Sequence, residues 1–176
     1  MNARRRWPHA GVLCAAAVAA CAPALNWREV RTEGAALSAW LPCKPEVRTR
    51  VIPLAGVPAS VQVLGCTVEG STWGVTSADV GDATLVAPVL VEWRKARSAN
   101  LAGQEVAASA AAVPGMTAAS DAVRLQIAGQ RPDGVAVTEH ALLFAVGTRV
   151  FHAAVIGGAP GRDALDTFFG NLKPAR

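Results

Sequence analysis

Aromatic residues are scarce in this 176-residue sequence, which has no tyrosine, four phenylalanines and five tryptophans. Tryptophan must therefore supply much of the aromatic burial. We expect core or rim packing, with an aromatic ligand cradle as the alternative, for Trp27, Trp40, Trp73 and Trp93.

Long apolar runs are scarce as well. After the first 20 residues the best candidate is 149–157, which is short and carries Arg149 and His152. A membrane-spanning helix needs about 20 apolar residues. The sequence therefore predicts no spanning helix there.

Motifs of catalysis and cofactor binding are absent too. No serine lies in a G-x-S-x-G context, and the glycine-rich segment 157–161 lacks the lysine and hydroxyl residue of a phosphate-binding loop. Asp79 and Asp82 lack the alternating acids of an EF-hand, and entry into a helix with a capping aspartate explains them better. The sequence predicts no catalytic residue, no cofactor and no metal site.

The N-terminal segment, in contrast, carries a recognisable targeting pattern. Three arginines, Arg4 to Arg6, precede an apolar stretch over 11–20, and Cys21 follows two alanines. This layout resembles a bacterial lipoprotein signal peptide, here residues 1–20. The resemblance implies that Cys21 is acylated and becomes the mature N-terminus. Residues 21–25 then form a tether, and the membrane is reached through lipid alone.

Three alternatives to lipidation at Cys21 remain open. Cleavage after a small-residue triplet such as 15–17 would release a soluble protein. The Arg5-Arg6 pair could belong to a twin-arginine export signal. Cys14, which lies early in the apolar stretch, could be the modified cysteine in place of Cys21. Because Ala22 rather than aspartate follows Cys21, the likeness to sorted lipoproteins favours a periplasm-facing position on the outer membrane.

The positive charge of the chain resides mostly in this leader. The chain has 17 basic and 13 acidic residues, and residues 1–20 contain three of the basic ones and no acid. The remainder is close to neutral, which gives no basic patch and no argument for a nucleic-acid partner. The cluster Arg94, Lys95 and Arg97 is interpreted as the solvent-facing side of a helix.

Two cysteines, Cys43 and Cys66, remain downstream of Cys21. In an oxidising compartment an even number favours a disulfide. If strands at 36–41, 47–53 and 59–68 alternate in direction within one sheet, both cysteines lie near the same edge. Two buried free thiols are the alternative. A zinc pair is disfavoured, because His140 and His152 lie far off in the sequence.

The hydrophobic pattern after residue 25 predicts one α+β domain over 26–176. Alternating segments separated by turn residues predict strands at 26–31, 36–41, 47–53, 59–68, 72–80, 121–128, 135–146 and 149–156, with a weaker one near 105–110. Helical periodicity predicts a helix over 82–102 and a C-terminal helix over 160–172. Residues 149–156 are apolar on both faces, so we expect this strand to be central. The predicted fold is an antiparallel sheet of about six to eight strands packed with both helices.

This order of elements resembles a group of small bacterial exported proteins and lipoproteins of unknown function. The resemblance is carried by short segments at 27–29, 37–42, 44–45, 149–157 and 164–172. It implies a PsbP-type α/β/α sandwich and supplies no functional residue. Cys43 with the Gly65-Cys66 position matches a subset of the group, which supports their pairing.

Three classes of function follow. The leading hypothesis is a non-catalytic envelope lipoprotein that acts as a binding or assembly accessory, with an envelope protein as partner. A periplasmic small-ligand carrier is second, and predicts a pocket of roughly 300–1,000 Å³ between sheet and helix. A divergent hydrolase is third. His140 and His152, on strands joined by a tight turn, are a weak metal or pH-sensing candidate, against the interpretation that they are partly buried sheet histidines.

Overall fold

The fold is described from a computed structural model covering residues 25–31, 37–118 and 121–174. The predicted signal peptide and Cys21 lie outside these residues. Over the described segments the elements in chain order are β1 (Arg28–Arg31), β2 (Leu37–Leu41), β3 (Glu46–Leu54), β4 (Val57–Val68), β5 (Ser71–Asp79), α1 (Val86–Asn100), β6 (Gln104–Ala110), β7 (Val123–Gln130), β8 (Ala136–Val146), β9 (Arg149–Gly157), α2 (Arg162–Gly170) and β10 (Lys173–Pro174).

A seven-stranded antiparallel sheet forms the centre of the fold, with the strand order β3-β4-β5-β9-β8-β7-β6. Strand β9 lies in the middle, between β5 and β8, and nearly all of its residues are buried. The prediction that the apolar segment 149–156 is central is therefore confirmed. The two outer strands, β3 and β6, are exposed along almost their whole length.

The second sheet differs from the expected arrangement. Strand β2 does not join the large sheet but pairs with β1 and with the two-residue strand β10 in a three-stranded antiparallel sheet. The expectation that β2, β3 and β4 alternate within one sheet was wrong. The segment 42–45 has bends at Pro42 and Cys43, and Pro42 ends β2 before the chain enters β3.

Two hydrophobic cores lie on opposite sides of the large sheet. On one side, here called the α1 face, Val89, Leu90 and Trp93 of α1 pack against sheet residues. On the other, the α2 face, Phe168 and Phe169 of α2 and the inner residues of β2 cover the sheet. The molecule is therefore an α+β sandwich of sheet and helices, as the coarse prediction stated.

Helix α1 begins later than predicted because a short 3₁₀ turn over Ala83–Leu85 precedes it. Asp82 accepts a hydrogen bond from the N–H of Thr84 at 2.8 Å, so it caps this turn. Pro88 lies in the first turn of α1, where no intrahelical N–H bond is lost. None of the helices in the described segments is both long and apolar enough to cross a bilayer.

The tryptophans pack as expected. Trp73 is buried and meets Trp27 and Phe168 edge to face, with ring centroids 5.8 and 5.6 Å away. Trp93 is buried on the α1 face, whereas Trp40 remains 38% exposed. Trp27 thus packs the segment just before β1 against the large sheet.

Candidate functional site

The predicted cysteine pair is a disulfide. Cys43 and Cys66 are bonded, with their Cα atoms 5.9 Å apart. As expected, Cys43 lies just past the end of β2 and Cys66 lies near the end of β4, although β2 belongs to the small sheet and not to the sheet of β4. Register places Glu46 opposite Gly65, which brings the connection beside the end of β4. The bond therefore fastens the small sheet to the large one.

The two candidate histidines lie on opposite faces of the sheet. His140 of β8 is opposite Gln126 and points to the α2 face, whereas His152 of β9 is opposite Thr76 and points to the α1 face. The hypothesis of a joint histidine site was therefore wrong. Side chains alternate along a strand, and the offset between 140 and 152 across the hairpin places them on different sides. Each histidine lines a different cavity.

The larger cavity is a groove on the α2 face, here called the α2 groove. Its volume is about 620 Å³, within the range expected for a pocket between sheet and helix. Cross-strand rows of β6, β7 and β8 form its floor, and one side of α2 forms its wall. An adjoining pocket of about 340 Å³ shares Ser109, Arg124 and Asp166 with it and extends it along α2.

Charged side chains surround this groove. The Arg124 guanidinium lies over the Phe169 ring, with Cζ 4.9 Å from the centroid, and Arg162 begins α2 without an ion pair to any described residue. Asp166 is the acid of the wall. Partial burial lowers the pKa of His140, and the Arg124 cation lowers it further, so His140 is neutral at pH 7. The groove thus presents two cations, one acid and a neutral imidazole.

A buried charge cluster occupies the α1 face. Arg97 donates from Nε to Oε1 of Glu139 at 2.9 Å and from Nη2 to Oε2 at 2.9 Å. Nε2 of His152 lies 2.9 Å from the same Oε1. Glu139 is fully buried, and the side chain of His152 is 9% exposed. The three residues come from α1, β8 and β9, and so join three elements of the fold.

The electrostatics of the cluster assign its protonation state. Burial raises the pKa of Glu139, but hydrogen bonds from His152 and Arg97 outweigh it, and the net pKa lies below the usual value. Burial lowers the pKa of His152 more than Glu139 raises it. Arginine is always charged. The cluster is therefore an Arg⁺–Glu⁻ pair with a neutral histidine.

A cavity of about 200 Å³, here called the α1 cavity, opens beside this cluster. Arg97 and His152 reach it directly, and Glu139 lies behind them. The remaining lining combines polar and apolar side chains: Ile52, Val61, Thr76, Trp93, Ala96 and Asn100.

The cluster corrects the interpretation of Arg97 and adds Glu139 to the candidate residues. Arg94 is on the solvent-facing side of α1, as expected, and binds Glu105 at 2.6 Å. Arg97, however, turns inward to Glu139, so its interpretation as a solvent-facing residue was wrong. The sequence contained one signal for this buried ion pair: Glu139 is an acid among the inward-facing apolar residues of β8. An acid in that position requires a buried partner.

The remaining acid and metal candidates have structural partners. Asp79 accepts hydrogen bonds from the Thr148 hydroxyl and the Gly81 N–H, which lower the pKa of its carboxyl, and it also binds Arg149. Over the segments the structure covers, no three His, Cys, Asp or Glu side chains meet in a group that would hold a metal ion.

No protein-family model matches the chain, and no curated protein matches it in sequence.

Proposed function

We propose that this chain is a non-catalytic binding protein of the bacterial cell envelope and that the α2 groove is its binding surface. The observation that carries the proposal is an open concavity of about 620 Å³ that includes Arg162, a cation with no ion pair to any described residue. Binding sites are usually concave and carry a few polar groups on an otherwise apolar lining. Pro160, Leu165 and the Ala107 side chain of β6 supply that lining.

The charge of the groove favours an anionic group on the ligand or partner. Arg124 of β7 lies on the floor of the groove and Arg162 of α2 lies on its wall, so both line it. Guanidinium groups recognise carboxylate and phosphate with paired hydrogen bonds. Asp166 also lines the groove, and its carboxylate disfavours an anion placed directly beside it.

The location is part of the same proposal. Lipid on Cys21 holds the domain on the periplasmic side of the outer membrane, and an envelope protein is the partner of an assembly accessory. The Cys43–Cys66 disulfide supports an oxidising compartment, because such bonds are rare in the reducing cytosol. The sheet-and-helix sandwich supports a PsbP-type fold as the finer assignment.

Site-specific photo-crosslinking tests the binding surface. A photoreactive amino acid at Ser109, inside the groove, is compared with one at Lys95, on the opposite side of the molecule. We expect a discrete crosslinked species from Ser109 alone, lost on Arg124→Glu and kept on Arg48→Glu, which changes an exposed arginine of β3. The same species from both positions contradicts the proposal.

A small-ligand carrier is the second candidate, favoured by the groove's volume. Native mass spectrometry of the protein from its own cells distinguishes the two: a carrier retains a small molecule, whereas an accessory yields a crosslinked polypeptide. Anchoring is tested separately by metabolic labelling with palmitate, which should label the wild-type chain and not Cys21→Ala. An unlabelled wild-type chain ends the lipoprotein assignment but leaves the groove testable.

A further inference from the structure

The α1 cavity presents a hydrogen-bond acceptor that the fold does not use. Glu139 is ionised and can only accept, so the Nε2 of His152 carries the proton of their 2.9 Å hydrogen bond. The other ring nitrogen, Nδ1, is then a lone-pair acceptor. It has no hydrogen-bond partner within the part of the chain the structure describes, and His152 lines the cavity. The fully buried side-chain atoms without a partner in the described residues are Gln62 Oε1 and Trp73 Nε1, so the unpartnered Nδ1 of His152 is accessible to a small molecule.

Hydrogen-bond donors face the same space. Arg97 uses Nε and one Nη2 hydrogen for Glu139, which leaves three of its five N–H groups for another acceptor. The side chains of Thr76 and Asn100 also line the cavity and hydrogen-bond to no described residue. The cavity thus offers several donors near Arg97 and one acceptor at His152.

The size and walls of the cavity limit what fits. A volume of about 200 Å³ holds roughly seven water volumes, or one small organic molecule. Trp93, Ile52 and Val61 provide an apolar wall opposite the polar groups. A ligand therefore needs a short apolar branch beside its polar end.

From this arrangement we infer that the α1 cavity is a second binding site, for a small carboxylate that carries a hydroxyl group next to its acid. The carboxylate accepts from Arg97 and Asn100, the hydroxyl donates to Nδ1 of His152, and the branch lies against Trp93. Glu139 acts through His152 and Arg97, because it fixes the tautomer of the one and the orientation of the other. This site is independent of the α2 groove.

The test compares two matched acids on the full chain, 2-hydroxyisovalerate and isovalerate, by titration calorimetry. We expect saturable binding of the hydroxy acid at least tenfold tighter than that of isovalerate, since one hydrogen bond of about 1.4 kcal/mol corresponds to tenfold in Kd. Nitrogen NMR of the histidine rings should show a shift at Nδ1 of His152, with His140 unchanged as the internal reference.

Two variants and a control locate the site. Ala96→Phe fills the cavity and should weaken binding at least tenfold, and Thr76→Val, which keeps side-chain shape, should weaken it severalfold. Ala107→Phe obstructs the α2 groove, because Ala107 pairs with Gln126 on that face, and should leave this binding unchanged. The inference is overturned if neither acid binds saturably, if the two acids bind equally, or if the shift occurs at His140.

Discussion

Glu139 and His152 are joined by a 2.9 Å hydrogen bond although register places Glu139 opposite Ile156, four residues along β9 from His152. The Ala141–Ala154 pair lies between them on the same face. Its two methyl groups leave the space in which the longer side chains extend along the sheet and meet. Small residues at these two positions are therefore part of the buried cluster.

The first prediction concerns stability and pH. The pKa of His152 is lowered in the folded chain, so below about pH 6.5 the unfolded chain binds a proton that the folded chain does not. Stability therefore falls as pH decreases from about 6.5 toward the lower folded pKa. Urea unfolding between pH 7.5 and 5 measures this slope, and His152→Gln should reduce it.

His140 provides the comparison for this measurement. Its pKa is also lowered, but it is less buried than His152, so His140→Gln should reduce the slope less. An unchanged slope in His152→Gln would contradict the neutral buried histidine. The lowered pKa of Glu139 adds a further loss of stability below pH 4.5 as that carboxylate protonates in the unfolded chain.

The second prediction concerns the buried ion pair. Arg97→Met leaves the fully buried Glu139 without its counter-ion, which should cost about 3–5 kcal/mol of unfolding free energy. Arg48→Met, which breaks an exposed pair with Glu46, should cost under about 1 kcal/mol. Adding Glu139→Gln to Arg97→Met should recover part of the loss. An equal loss of unfolding free energy in the two single variants would show that burial does not strengthen the Arg97–Glu139 ion pair.

The third prediction concerns the disulfide. Cys43 and Cys66 are 23 residues apart, and closing a loop of this length restricts the unfolded chain by about 3 kcal/mol in the chain-entropy model. The double variant Cys43→Ala/Cys66→Ala should be destabilised by about that amount in chemical denaturation. Reductant should bring the wild-type chain to the same midpoint and leave the variant unaffected; a wild type insensitive to full reduction would refute this.

The fourth prediction concerns a close approach of backbones. A Cβ at Gly129 would collide with the Leu101 carbonyl oxygen and lie 3.0 Å from Gly103 Cα. The same Leu101 oxygen accepts from the Gln130 N–H at 2.7 Å, so it cannot move freely. Gly129→Ala should therefore cost about 1–3 kcal/mol.

Gly170→Ala is the matched control for this glycine. It lies at the end of α2, and a Cβ there meets nothing within 4 Å. Alanine is the better helix former, so the change should be neutral or stabilising by up to about 1 kcal/mol. Thermal unfolding of both variants measures the contrast, and a loss at Gly129 no greater than at Gly170 would exclude the steric explanation.

Much of the fold could be predicted because the strands carry strong local signals. The turn at Glu69-Gly70, the alternation in β4 and the doubly apolar pattern of β9 each report on a few neighbouring residues. The partner of β2 could not be predicted in this way. Its pattern requires one buried face, which either sheet satisfies, and β10 is only two residues long.

The candidate sites were less predictable for a related reason. Arg97 occupies a position on α1 that borders the apolar side, and its orientation depends on Glu139, 42 residues away. The hydrophobic periodicity of a single helix or strand reports only on residues close together in the sequence, so neither pattern could reveal this contact. The α2 groove likewise arises because α2 leaves the β6–β7 part of the sheet uncovered, which is a property of the assembled fold.

The central position of β9 has a consequence for how the chain is made. Strands β3–β5 and β6–β8 share no neighbour until residues 149–157 are inserted between β5 and β8. A chain delivered from its N-terminus, by a ribosome or through a translocation channel, therefore cannot close its sheet until nearly all of it has emerged. A product that stops before residue 149 would present two open strand edges, which are templates for aggregation.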